Sequence, residues 1–201
     1  MKIILLVLFL INTNFYGQEK LPSYDKLIIP NNLKEAAYIA IQYFPELKNV
    51  DIEVIYANTK TTMETRPVIG SLFSKKRKYK IFVDTTVENN FGILVSEVPL
   101  DAKIGLFGHE FAHILDYEGK SVFELLKIGK TYLTKEDIRS YETFIDQLTI
   151  QRGLGLYLKT WSDFVLNHSN ASKEYKNYKR KNYLTPEEIQ KSIELISKFN
   201  N

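Results

Sequence analysis

The sequence contains no cysteine. Disulfides, thiol catalysis, a lipidated-cysteine anchor and cysteine-ligated zinc are thereby excluded, so a bound metal would have to rest on histidine and carboxylate. Histidine itself is scarce, with three in 201 residues. Charge of one sign is lacking too: 27 basic against 24 acidic side chains leave +3, too mild a balance to predict a nucleic-acid partner. No apolar run is long enough for an ordinary membrane span. The run Ile3–Ile11 would rise about 13 Å as a helix, against about 30 Å of hydrocarbon. A phosphate loop, a Gly-x-Ser-x-Gly elbow, internal repeats and a Pro/Gly-rich linker are all missing.

What remains is the composition of a globular domain, 44% hydrophobic with a rich aromatic share of 13%. The length allows one domain with a sizeable core. Lys2 followed by nine apolar residues has the form of a secretory leader. It predicts a signal peptide over residues 1–17, cleavage near Gln18, and a single exported domain over 18–201.

Helical spacing of Leu33, Ala36, Ala37, Ala40, Ile41 and Phe44 predicts a helix from Asn31 or Asn32 to Phe44, stopped by Pro45. Three strands are expected at Asp51–Ala57, Arg66–Phe73 and Tyr79–Thr85, the last two joined by a solvated basic turn, Ser74–Lys78. Asp101 can cap a helix through Tyr117. Ser121 and Glu124 form a capping box, and Thr134–Asp137 opens a helix that ends at Gly153. Lys173–Tyr183 reads as a solvated linker, and Thr185-Pro186 starts a last helix. The order predicts an α+β domain, with a small sheet of three or slightly more strands packed on one helix and a helical C-terminal half.

Two of the three histidines fall in His109-Glu110-Phe111-Ala112-His113. Four residues apart on a helix, both imidazoles can reach one metal ion while Glu110 leans towards its open position. Ile104, Phe107, Phe111, Ile114 and Leu115 cluster on the opposite side, which predicts a packing face and a second face left clear, with the small Ala102 and Gly105, for a cleft. Catalytic zinc takes three protein ligands and a water. Position 119, where a third histidine would complete one common form, is glycine. Glu142 and Asp146, four apart beside the apolar stripe Ile138, Tyr141, Ile145 and Leu148, need partners. Zinc for Glu142 and a ligand imidazole N–H for Asp146 would supply both. His168, Asp146 and Asp116 are the rival third ligands, and Asp116 can instead orient an imidazole. His168 and Tyr157, with Tyr117 and Tyr132, are candidate stabilisers of a reaction intermediate.

His-Glu-Phe-Ala-His followed on a later helix by Glu142-x-x-x-Asp146 resembles the gluzincin group of zinc metallopeptidases, over about residues 100–155. The resemblance implies a zincin-like fold, one zinc ion on His109, His113 and Glu142, Glu110 as general base, and Asp146 as support for a ligand. It further implies hydrolysis of peptide bonds, with the last strand of the sheet aligning an extended peptide substrate. Other readings of the same residues are an amidase acting on cell-wall peptides, an exported metal- or peptide-binding module without turnover, and an intracellular regulator.

Overall fold

The computed structural model describes residues 24–85, 92–135 and 137–199. The leader expected over residues 1–17 lies outside them. Strands β1 (Leu27–Ile28), β2 (Asp51–Ala57), β3 (Met63–Pro67) and β4 (Lys78–Asp84) form one mixed sheet in the order β1-β2-β4-β3. β1, β2 and β4 run parallel, while β3 lies antiparallel to β4. The period of two is plain in the inner strands: Ile52 and Val54 of β2, and Tyr79, Ile81 and Val83 of β4, all point into the core.

The helices are α1 (Lys34–Ile41), α2 (Leu100–Glu118), α3 (Val122–Thr134), α4 (Ile138–Thr149), α5 (Gly155–Asp163), α6 (Lys173–Asn182) and α7 (Pro186–Phe199). The class is α+β, with a four-stranded mixed sheet and a helical C-terminal half. Among the described residues no helix is long and apolar enough to cross a membrane.

Several boundaries follow the expected chemistry. The Ser121–Glu124 capping box is formed in both directions: the Glu124 amide donates to Ser121 Oγ at 3.4 Å and the Ser121 amide to Glu124 Oε2 at 2.8 Å. A second box, Thr185–Glu188, opens α7 with Pro186 in its first position. Gly153 adopts φ +92° within a π-helical turn, Ile150–Leu154, that separates α4 from α5. Its missing Cβ permits that conformation.

Other expectations need correction. The second strand is Met63–Pro67 instead of Arg66–Phe73, because residues 69–71 coil into a 3-10 turn. β4 is flanked by β2 and β3, so the last strand has no free edge; the edge strands are β1 and β3. Thr134 closes α3 instead of opening α4, and Lys135 and Asp137 turn the chain through left-handed conformations. Lys173–Tyr183 is no linker, since residues 173–182 form α6, capped by Ser172. Residues 104–114 of α2 are all buried, and the side that lines a cavity carries Leu106, His109, Glu110 and His113 without the expected Ala102 and Gly105. Phe111 meets Phe44 beyond the end of α1, and on another side α2 presses on α5.

Gly105 explains that last contact. A Cβ built there would stand 2.2 Å from the Tyr157 carbonyl oxygen, so α2 and α5 meet backbone to backbone. We therefore expect Gly105→Ala to cost about 1–3 kcal/mol or more by overpacking. Gly129→Ala, in mid-α3 with open space around it, should be neutral or stabilising by about 0.4–1 kcal/mol. Urea denaturation of both variants checks the pair. Equal midpoints would show that the two helices do not depend on this approach.

Candidate metal centre

α2 carries His109, Glu110 and His113 through the centre of the fold, and α4 packs along it with Glu142 and Asp146 facing back. All five side chains are nearly inaccessible, 5% exposed for each histidine and 2–3% for each carboxylate. His109 Nε2 lies 3.1 Å from Glu142 Oε2 and 3.1 Å from His113 Nε2, and His113 Nε2 lies 3.5 Å from Glu142 Oε2. A tetrahedral zinc site with bonds of about 2.0–2.1 Å has ligand-to-ligand edges of about 3.3 Å. The triangle of donor atoms fits that figure.

Proton accounting points the same way. His109 Nδ1 is 2.8 Å from Asp146 Oδ1, and a neutral imidazole donating there presents a lone pair at Nε2. That lone pair would then face a carboxylate oxygen and a second imidazole nitrogen. Without a cation the cluster needs a proton: burial would lower the His109 pKa, but the hydrogen bonds with Asp146 and Glu142 outweigh it and push it up to about 10. Burial would likewise raise the Glu142 carboxyl, yet its bonds to His109 and His113 hold it well below the usual range. A dication meets the same demand with three donors already converged.

The surroundings fix the donors. Asp146 Oδ2 also accepts from the Leu184 amide at 2.9 Å, which ties the carboxylate to the α6–α7 junction. Glu142 Oε1 accepts from the Tyr132 hydroxyl of α3 at 2.6 Å, leaving Oε2 to the histidines. Burial first, and the Glu142 charge next, keep the Tyr132 phenol protonated. Glu110 is held separately, its Oε2 accepting from Thr65 Oγ1 of β3 at 2.6 Å. A cavity of about 1100 Å³ opens on these groups, with β3, α3 and the α5–α6 region in its walls.

The remaining sequence candidates separate. Tyr117 stacks near His113, with ring centroids 5.8 Å apart, and lines the cavity. Asp116 does not orient an imidazole: it accepts from Tyr141 at 2.8 Å and pairs with Lys120, and His113 Nδ1 is buried without a partner among the described residues. His168 is exposed beside Asp163 at 3.1 Å and lines no part of the cavity. Tyr157 packs against the core, away from the cavity wall. Sequence reasoning did not find Thr65, Lys179 or Tyr183. Thr65 lay in a segment expected to precede its strand, and the other two in a segment whose lysines read as solvated.

No family model, curated protein or solved structure matches this chain. The centre therefore rests on its own geometry.

One zinc per chain is the expected result of elemental analysis, with Glu142→Ala abolishing retention and His168→Ala leaving it intact. Asp146→Ala should weaken metal binding about 10–100-fold, the usual cost of removing a partner behind a ligand. Metal binding by Glu142→Ala equal to the parent, with loss in His168→Ala, would require the site to be redrawn.

Proposed function

We propose that this chain is a zinc-dependent hydrolase, acting on peptide bonds, with His109, His113 and Glu142 holding the ion. The observation that carries the reading is the position of Glu110, buried next to the donor triangle yet bound to a different element from all three donors. A site built merely to bind metal has no use for a third carboxylate steered by its own hydroxyl. The resemblance to gluzincins supports the same assignment and a zincin-like fold.

A zinc ion at this position supplies Lewis acidity to a carbonyl and lowers the pKa of water towards about 7. The chain's own groups do the rest. Thr65 engages Glu110 Oε2, which leaves Oε1 as the atom that takes the proton of the attacking water. The same oxygen returns that proton to the leaving amine. Asp146 keeps His109 in the tautomer whose Nε2 can ligate, and Tyr132 keeps Glu142 turned towards the histidines. Met63–Pro67 forms one wall of the cavity and is an edge strand of the sheet, so an extended peptide can add to it as a further strand.

Glu110→Gln should retain zinc and the fold while lowering hydrolysis of a quenched-peptide library by about 10²–10⁴-fold or more, since glutamine keeps the shape and cannot accept the proton. Activity equal to the parent would remove Glu110 as base and favour a binding module.

We further propose that the protein works outside the cytoplasm, on the strength of Lys2 and the apolar run behind it. Mass spectrometry of the native protein should find an N terminus near Gln18. An intact Met1 on a cytoplasmic chain would overturn this.

A further inference from the structure

Lys179 brings a positive charge to the wall of the cavity that also holds His109, Glu110 and His113. Its Nζ stands 3.6 Å from the centroid of the Tyr183 ring, 5.7 Å from that of Tyr175 and 6.0 Å from that of Trp161. Tyr183 in turn lies 5.6 Å, ring to ring, from His109, so one aromatic side chain borders both the ammonium and a metal ligand. Lys26, Lys80 and Lys120 each meet a carboxylate. Among the described residues none forms an ion pair with Lys179.

An ammonium placed among aromatic rings gives up much of its hydration, and the ring faces return part of that cost. Burial would lower its pKa, but neighbouring acidic groups, Tyr175 first and Glu142 next, raise it, so the group stays charged. Among the described residues no carboxylate stands within ion-pair distance of the ammonium, and its cavity side stays open to a ligand. A single ammonium matches one negative charge. A phosphate dianion would call for more donors than the aromatic surround of Lys179 provides, whereas a carboxylate is satisfied by one ammonium held among rings.

We propose that Lys179 is the docking point for a carboxylate of the peptide substrate, set along the cleft from the metal cluster. The proposal rests on the peptidase reading for the nature of its ligand. Two sources supply such a carboxylate: the C terminus of the peptide, or an Asp or Glu side chain within it. The competing role for Lys179 is a fixed countercharge for Glu142 and Asp146, which would show itself in metal affinity.

Trp161, the chain's single tryptophan, reports on this pocket without any need for turnover. The experiment titrates the zinc-loaded Glu110→Gln protein with three short peptides of one neutral core and follows Trp161 fluorescence. One carries a free C-terminal carboxylate, one is amidated, and one is amidated with an internal glutamate. One carboxylate peptide should bind at least tenfold tighter than the neutral amide, and which one does so identifies the source. Adding Lys179→Met should erase that preference at unchanged zinc stoichiometry, and Lys179→Arg should keep most of it. Equal binding of all three peptides, a preference that survives Lys179→Met, or zinc loss in Lys179→Met overturns the proposal. Hydrolysis by the parent is scored separately on the same peptides. Preference without hydrolysis removes the peptidase reading and leaves the carboxylate site standing, while hydrolysis without preference does the reverse.

Discussion

Everything in this fold is arranged around the burial of three carboxylates, Glu110, Glu142 and Asp146, inside a helical core. An isolated buried carboxylate is too costly to persist without partners. Each is therefore held by partners from other elements: Glu110 by β3, Glu142 by α2 and α3, Asp146 by α2 and the backbone before α7. His109 is the hub, because it touches both α4 carboxylates through its two ring nitrogens. Satisfying these charges ties α3, α4 and the α6–α7 junction to α2 and β3.

The packing that delivers this geometry is unusually close on one side. Gly105 precedes His109 by one helical turn, and its missing side chain lets the α5 backbone lie against α2. Gly108 instead makes room for a side chain, with a Cβ there falling 2.6 Å from Leu154 Cδ1. A helix clamped in this way has little freedom to rotate, so its histidines are presented at a fixed angle to α4. Gly105, expected from the sequence to help clear a cleft, serves this clamp instead. The cavity opens elsewhere, between α3, β3 and α6.

How much of this was legible depends on what each residue announces about itself. His109, Glu110 and His113 declare their chemistry by type and spacing, and Glu142 with Asp146 by lying beside an apolar stripe where charge is expensive. The capping boxes and Gly153 were equally readable, because local hydrogen bonding decides them. β3 was displaced because Met63-Glu64-Thr65-Arg66-Pro67 carries little strand signal of its own and is held by its register against β4. α6 was missed for a deeper reason. Lys173–Asn182 is so polar that its inward side shows only Tyr175 and Asn182 as buried, and periodicity cannot reveal that Lys179 turns inward to lie on aromatic rings.

The same reasoning bears on why Thr65 belongs to an edge strand of the sheet. A base fixed by a remote loop would not register whether the cleft is filled. Fixed by β3, Glu110 is joined to the edge strand that lines the cavity. Pairing with a peptide along Met63–Pro67 would restrain the backbone that carries the Thr65 hydroxyl, and hence the orientation of Glu110 Oε1. On the peptidase reading proposed above, binding of the substrate backbone and aiming of the base would thus pass through a single hydroxyl group. The histidines are anchored through α4 and the α6–α7 junction, in a network separate from β3. The proposed metal donors and the proposed base would in this way be set by two different parts of the fold, meeting at adjacent residues of one buried helix.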